Sequence, residues 1–312
     1  EGAPGLPDPD EALTVVVSIA APEDASRLRY EAEAQRLLKA LRGQPTRFAE
    51  LGTLDDLVDT TAESPGAVLH FSGHGLPGAL LFEDGEGFGE VVPVETLHTA
   101  LNTRVLRAGG FPRLFFLASC HGASTVVGAA GAADDTRESR ELSAALGEGP
   151  STAATLHRAG FAAVLGYFGP VSDELCTRAE EVFYAALVAQ KSLLQAAQEA
   201  RQSLTKPLTA GTVTIRWPLA WAQLAVYLRG DDRALLKGPV RAAPPPPSKA
   251  ETPAGLPSIK HGFVGRRATQ HRLRRRTKDR DAWFVLIHGL GGLGKTSLAT
   301  HLLQTGFTKT AP

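Results

Sequence analysis

Residues 67–75 read Ala-Val-Leu-His-Phe-Ser-Gly-His-Gly, and their pattern indicates the fold class of the chain. Its first part, 67–71, is mostly apolar, as in a buried strand, and a polar loop with His74 between two glycines follows. The same pattern recurs where the apolar run 113–118 (Arg-Leu-Phe-Phe-Leu-Ala) leads to Cys120. Buried strands that each end in a polar loop predict an α/β fold with a mostly parallel sheet.

Strand and helix patterns alternate around these two stretches. Residues 13–20 are apolar and β-branched almost throughout, which favours a strand buried on both faces of a parallel sheet. Further strands and a hairpin are predicted at 47–51, 79–92 and 161–166, and helices at 24–42, 54–62, 94–107, 172–190, 192–204 and 218–228.

The composition is that of a soluble globular protein. Of 312 residues, 43% are hydrophobic and 21% charged, which excludes disordered, collagenous and membrane classes. The formal net charge is zero, so we expect neither nucleic acid nor a membrane as a direct partner. The two cysteines, Cys120 and Cys176, give no disulfide framework, and no signal peptide is recognisable. These features predict a cytoplasmic location.

His74 and Cys120 each follow a predicted strand, and such residues gather at the carboxyl edge of a parallel sheet. They lie 46 positions apart (120 minus 74), close to the His-to-Cys spacing of about 50 in caspases. A histidine beside a thiolate can hold it as an ion pair and protonate a leaving amine. The pair predicts a cysteine endopeptidase with a protein substrate. The alternative is a buried cysteine and a hydrogen-bonded loop histidine without catalysis.

Two segments of the chain resemble signature segments of the CHAT family, which are caspase-like peptidases related to separases. These segments are His-Phe-Ser-Gly-His-Gly at 70–75 and Phe-Leu-Ala-Ser-Cys-His-Gly-Ala at 116–123. Residues 160–173 and the predicted helix after them are also similar, so the resemblance covers roughly residues 10–230.

The resemblance implies a caspase-like three-layer sandwich, in which helices flank a mostly parallel sheet. It assigns catalysis to His74 and Cys120, and an oxyanion hole to the backbone N–H groups of Gly75 and Cys120. Of the other histidines, His70 is predicted to be a hydrogen-bonded core residue, and His121 to shape the loop.

We expect no metal or cofactor in this first domain. On an extended strand His70 and His74 would lie about 13 Å apart, at ~3.3 Å per residue, which is too far for one zinc ion. The two cysteines also lack the paired spacing of a structural zinc site.

Two further predictions concern substrate preference and processing. Asp173 would line a pocket for the residue before the scissile bond, which would favour Arg or Lys there. Alternatively, Asp173 or Ser172 caps the next helix. The polar segment 128–150 is interpreted as a loop, and its charged residues as a site of self-processing, namely Asp134, Asp135, Arg137 and Arg140.

A proline tract separates this domain from a second unit. The run Pro244–Pro247 favours a stiff polyproline II spacer, because proline has no N–H to donate to a sheet. We therefore expect the caspase-like domain at 1–240, a linker at 241–260, and the beginning of a P-loop NTPase domain at 261–312.

The second unit contains a P-loop pattern, Gly-Leu-Gly-Gly-Leu-Gly-Lys-Thr at 289–296, between a predicted strand at 283–288 and a helix. Its pattern positions are Gly289, Gly294, Lys295 and Thr296. Backbone amides would surround the phosphates, the lysine would neutralise them and the threonine would bind Mg²⁺. We expect ATP and Mg²⁺ to bind the complete NTPase domain.

Phe263-Val264-Gly265-Arg266 before a basic helix resembles the entry segment of STAND ATPases of the NACHT and NB-ARC kind. The basic run of this helix is interpreted as a solvated face; it comprises Arg272, Arg274, Arg275, Arg276 and Lys278. The architecture resembles bacterial signalling proteins in which a nucleotide-controlled switch holds a protease, with self-association through the NTPase domain and a role in antiviral defence. The alternative is a catalytically silent module for oligomerisation.

Overall fold

The structure is a computed structural model. It describes residues 6, 13–25, 28, 30–64, 66–76, 78–106, 110–120, 151–169, 171–210, 213–215, 219–236, 266–278 and 284–306. The predicted linker at 241–260, His121 and the predicted processing loop with Asp134, Asp135, Arg137 and Arg140 lie outside the described residues.

A six-stranded sheet forms the centre of the CHAT-like region. Its strands are β1 (Val15–Ile19), β2 (Thr46–Ala49), β3 (Val68–Ser72), β7 (Leu114–Ala118), β8 (Ala163–Tyr167) and β11 (Leu224–Leu228). Their order across the sheet is β11-β8-β7-β3-β1-β2, and only β11 runs antiparallel to its neighbour. A second, three-stranded antiparallel sheet consists of β4 (Gly75–Leu76), β5 (Ala79–Glu83) and β6 (Gly89–Pro93). The short strands β9 (Leu208–Ala210) and β10 (Val213–Ile215) pair with each other.

Helices cover both faces of the large sheet. In chain order they are α1 (Tyr30–Ala40), α2 (Leu54–Ala62), α3 (Val94–Arg104), α4 (Thr152–Arg158), α5 (Asp173–Val188), α6 (Leu193–Thr205) and α7 (Ala220–Gln223). Helices α1, α5 and α6 pack on one face, and α2, α3 and α4 on the other. Two more helices, α8 (Arg267–Lys278) and α9 (Lys295–Gly306), follow the predicted linker.

The strand residues show why the sequence folds into three layers. All five residues of β1 are buried, and they alternate between the two apolar cores. Val15 and Val17 enter the core under α1, whereas Val16 enters the core under α2. Because each strand carries apolar side chains to both faces, its sequence is a continuous apolar run. The predicted fold class, a mostly parallel sheet flanked by helices, is confirmed.

Two predicted elements are wrong. Residues 218–228 were predicted as one helix, but only α7 is helical, and Leu224–Leu228 forms the edge strand β11 against β8. Residues 284–289 form no regular structure, although a strand was predicted at 283–288. Phe284 and Leu286 are 80% and 69% exposed, because no described strand of the second unit pairs with them. In the described part of the chain, no helix has the length and apolarity needed to cross a membrane.

Candidate active site

The sheet register brings His74 and Cys120 to the same edge. Strands β3 and β7 are parallel neighbours, and Ser72 pairs with Ala118 at their carboxyl ends. The paired residues differ by 46 in number (118 minus 72), which is also the separation of His74 and Cys120. Each of the two residues therefore lies two positions beyond the last pair of adjacent strands, and both are partly buried.

Backbone contacts fix the segment that carries His74. The N–H of Gly73 donates to the carbonyl of Ala118 at 3.3 Å, which continues the contact between the two strands. The N–H of Leu81, in β5, donates to the carbonyl of His74 at 3.0 Å. His74 is thus held between the large sheet and the small one.

Gly75 lies directly against the backbone of Cys120. A Cβ atom at Gly75 would lie 2.2 Å from the carbonyl oxygen of Cys120 and 2.8 Å from the hydroxyl of Ser119. Real Cβ atoms do not approach so closely, so only glycine fits at this position. The two signature segments therefore meet through main-chain contact.

The thiol of Cys120 faces the segment between β8 and α5. Its Sγ lies 3.7 Å from the carbonyl oxygen of Val171, close enough for a weak S–H hydrogen bond. Asp173 is two residues further on and begins α5. Ser172 occupies the N-cap position of that helix, but its hydroxyl makes no capping hydrogen bond. The side chain of Asp173 lies outside the described residues, and its pocket role stays a prediction.

The second cysteine has a different environment. Burial, followed by the carboxylate of Glu180, raises the pKa of the Cys176 thiol well above its usual value. Burial likewise raises the pKa of the neighbouring Tyr167 hydroxyl. Cys176 is therefore held as a neutral thiol, which is a poor nucleophile.

His70 is a hydrogen-bonded core residue, as predicted. Its side chain is fully buried, and Nδ1 lies 3.0 Å from the hydroxyl of Tyr184. Its Nε2 faces two carboxylates, Glu33 Oε1 at 3.6 Å and Glu180 Oε2 at 4.0 Å. The sequence contained a signal for part of this cluster, because Glu180 and Tyr184 are four residues apart and share a helix face.

Within the described residues, Glu33, His70 and Glu180 are the group whose ligand atoms could converge on a metal ion. Zinc requires nitrogen and oxygen ligands at about 2.0–2.2 Å, which in a tetrahedral site places them roughly 3.4 Å from one another. Both separations from His70 Nε2 exceed that value, so these groups would have to move inward to hold zinc. The expectation that this domain holds no metal stays a prediction.

The residues of the predicted P-loop pattern lie on the surface at the start of α9. Gly292 and Gly294 have φ values of +78° and +75°, the left-handed region that glycine tolerates best. The Nζ of Lys295 donates to the carbonyl of Leu290 at 2.7 Å, within the loop. The helix after the pattern is present, and Gly289 and Thr296 are exposed beside these residues.

Comparison with known proteins identifies the family of the chain. Caspase-1 from Spodoptera frugiperda is a structural neighbour with 13% sequence identity and a TM-score of 0.41, over 77% of this chain and 99% of that chain. Comparison with curated proteins finds no match. The family described as "CHAT domain" matches residues 7–231, which is more than half of the chain and includes His74, Cys120 and Asp173. The chain therefore belongs to the CHAT domain family.

Proposed function

We propose that this chain is a cysteine endopeptidase in which Cys120 is the nucleophile and His74 is its acid and base. The proposal depends on the sheet register. His74 and Cys120 are 46 residues apart, which is also the number separating paired residues of the adjacent parallel strands β3 and β7, so both lie at the same edge of the sheet. Gly75 supports it, because its contact with the Cys120 backbone joins the two loops.

The reaction follows from the chemistry of these groups. The Cys120 thiolate attacks the amide carbonyl carbon, the C–N bond breaks, and the His74 imidazolium gives its proton to the leaving amine. Water, deprotonated by the neutral imidazole, then hydrolyses the thioester and regenerates the thiol. The backbone N–H groups of Gly75 and Cys120 would stabilise the oxyanion in both steps.

Cys120 is the better nucleophile of the two cysteines in the chain. The raised pKa of Cys176 keeps that residue protonated at neutral pH. Cys120, in contrast, follows a strand at the carboxyl edge of the sheet, where ligands of open α/β sheets bind.

We further propose that the segment before α5 contributes to substrate preference. The Sγ of Cys120 lies 3.7 Å from the carbonyl of Val171, so this segment borders the nucleophile. Asp173 follows within two residues, and its carboxylate would favour Arg or Lys before the scissile bond. Cleavage of a peptide library varied at that position tests this, and indifference to basic residues would refute it.

The same proposal includes control by nucleotide in the complete protein. The P-loop pattern, with Lys295 and Thr296 at the start of α9, has the composition needed for phosphate and Mg²⁺. A complete domain of this kind would bind ATP and self-associate in the cytoplasm. A role in antiviral defence rests on the similarity of arrangement alone.

The test is a cleavage assay on a proteome-derived peptide library, with and without ATP and Mg²⁺. Cys120→Ala and His74→Ala should each abolish cleavage, whereas Cys176→Ala is the matched cysteine control and should retain it. Equal cleavage by wild type and Cys120→Ala would contradict the assignment. A folded wild type without any cleavage under both conditions would instead favour the silent oligomerisation module.

A further inference from the structure

Glu83, the last residue of β5, is a fully buried carboxylate with partners on both sides of the linker. Its Oε1 accepts a hydrogen bond from the N–H of Ala21 at 2.7 Å and another from the guanidinium of Arg267 at 2.8 Å. Its Oε2 lies 2.6 Å from Nε2 of His271. A buried carboxylate is costly unless cations and donors compensate its charge, and here helix α8 supplies the guanidinium of Arg267 and places the His271 ring beside the second oxygen.

The two side chains from α8 are themselves inserted into the CHAT domain. The guanidinium of Arg267 also donates to the carbonyl of Ile19, at the end of β1, and lies 5.3 Å above the ring of Tyr30. A Cβ atom at Gly87 would lie 2.7 Å from the ring of His271, so the β5–β6 turn fits closely around it.

Helix α8 uses one face for this contact. Arg267, His271 and Arg275 recur every four residues, and Arg275 pairs with Glu23 at 2.9 Å. Arg272 and Arg276 are exposed. The interpretation of the basic run as a solvated face is therefore confirmed for these two residues. It is wrong for Arg275, which contacts Glu23 in a distant part of the chain.

The buried contact lies beside the candidate catalytic residues. Ile19 pairs with Ser72, two residues before His74. Glu83 lies two residues beyond Leu81, whose N–H donates to the carbonyl of His74. Glu83, which α8 contacts, is therefore in the same strand as the Leu81 N–H that holds the backbone of His74.

Arg266, the residue before α8, contacts the predicted P-loop pattern at 289–296. The guanidinium of Arg266, next to Arg267, donates to the carbonyl of Leu293, inside the loop at 289–296. Helix α9, which begins at Lys295, packs on α8. A continuous series of contacts thus joins the glycine-rich loop to the segment of His74.

We infer that α8 is an intramolecular ligand of the CHAT domain and that Glu83 is a positioning residue through which it holds His74 in place. With α8 bound, the buried carboxylate is compensated and β5 is fixed. When α8 leaves, Glu83 must be hydrated, and the strand that holds His74 loosens. The consequence for catalysis rests on the proposed peptidase function, whereas the consequence for backbone order does not.

Hydrogen exchange measured by mass spectrometry tests the structural part. Arg267→Ala should raise exchange at least about tenfold in 267–278 and at the Leu81 amide, since removal of one partner of a buried ion pair costs several times the energy of a tenfold change. Arg272→Ala is the matched control, since it removes the same charge from the exposed face, and should leave both segments unchanged. Glu83→Gln, which keeps the side chain's shape, should behave like Arg267→Ala.

Two results would overturn the inference. Unchanged exchange in 267–278 of both Arg267→Ala and Glu83→Gln would show that these groups do not hold α8. Faster exchange in α8 without any change at Leu81 would show that the contact does not reach His74. Neither readout requires cleavage, so an inactive wild type would contradict the proposed function and leave this test intact.

If the wild type cleaves peptides, the catalytic part is tested with the same variants. Arg267→Ala should lower kcat by at least about tenfold and leave KM within twofold, because a displaced imidazole impairs the chemical step more than substrate binding. Arg272→Ala should match wild type. An unchanged kcat in Arg267→Ala, with α8 released, would refute the positioning role.

Discussion

Gly75 and Cys120 are in such close contact that the distance from a Cβ at position 75 to the Cys120 carbonyl oxygen would be only 2.2 Å. The contact brings together two chain segments that are separated by more than 40 residues. It explains why β4, which begins directly after His74, needs a residue without a side chain at its first position.

Gly75→Ala should abolish Cys120-dependent cleavage, because the added methyl group must push the Cys120 backbone away from His74. Gly78→Ala is the control, since a Cβ at Gly78 meets nothing within 4 Å. Its φ of +77° costs about 1–2 kcal/mol for alanine, so it should lose stability and keep its activity. Peptide cleavage and thermal unfolding of both variants check this. Full activity in Gly75→Ala would contradict the packing described above.

The two cysteines should differ in reactivity. Because burial and Glu180 raise the pKa of Cys176, iodoacetamide at pH 8 should modify Cys120 at least about tenfold faster in the folded protein. In the chain unfolded by urea, both cysteines should react at similar rates because neither thiol is buried. Peptide mapping by mass spectrometry measures the two sites separately, and faster labelling of Cys176 in the folded state would argue against this difference.

Tyr184→Phe should destabilise the core without changing its shape. The variant keeps the aromatic ring, which lies 6.0 Å from that of Phe116, but removes the hydroxyl 3.0 Å from His70 Nδ1. A buried polar atom without its partner costs about 1–3 kcal/mol. Urea unfolding of both proteins measures the difference, and equal free energies of unfolding would show that this hydrogen bond contributes nothing.

His157 should make stability depend on pH. Burial, with a further contribution from Arg229, lowers the pKa of His157 below its usual value of 6.5. Between the folded and unfolded pKa values the unfolded chain binds more protons, so stability rises with pH in that window. The free energy of unfolding should therefore fall as the pH drops below about 6.5.

His157→Gln is the variant that isolates this effect. It should flatten the pH dependence between pH 6.5 and 5. The side chain is only partly buried, so the effect is small, and unfolding in urea at several pH values is the suitable measurement. An identical slope in both proteins would assign the pH dependence to other groups.

Local patterns predicted the elements whose signals lie within a few residues. Helix α2 has the predicted bounds, 54–62, because Thr53 caps it by accepting a hydrogen bond from the Asp56 N–H at 3.2 Å. The strands that lead to His74 and Cys120 were also predicted, since strands buried on both faces are continuous apolar runs. These elements place both candidate catalytic residues at one edge.

Contacts between distant segments could not be predicted in this way. Leu224–Leu228 was assigned to a helix, because its apolar residues fit either period and its partner β8 lies about 60 positions earlier. Glu83 is an ordinary acidic residue at the end of a hairpin strand in the sequence. Its role follows from distant partners such as Arg267, which is 184 positions further along the chain.

Whether His74 and Cys120 act as a pair can be measured by the pH dependence of Cys120 alkylation in a Cys176→Ala background. A paired thiolate should react at a rate that stays high well below pH 8, whereas His74→Ala should shift the midpoint upward toward about 8.5, the value of an unperturbed thiol. Superimposable profiles for the two proteins would show that His74 does not share a proton with Cys120, and would contradict the peptidase assignment.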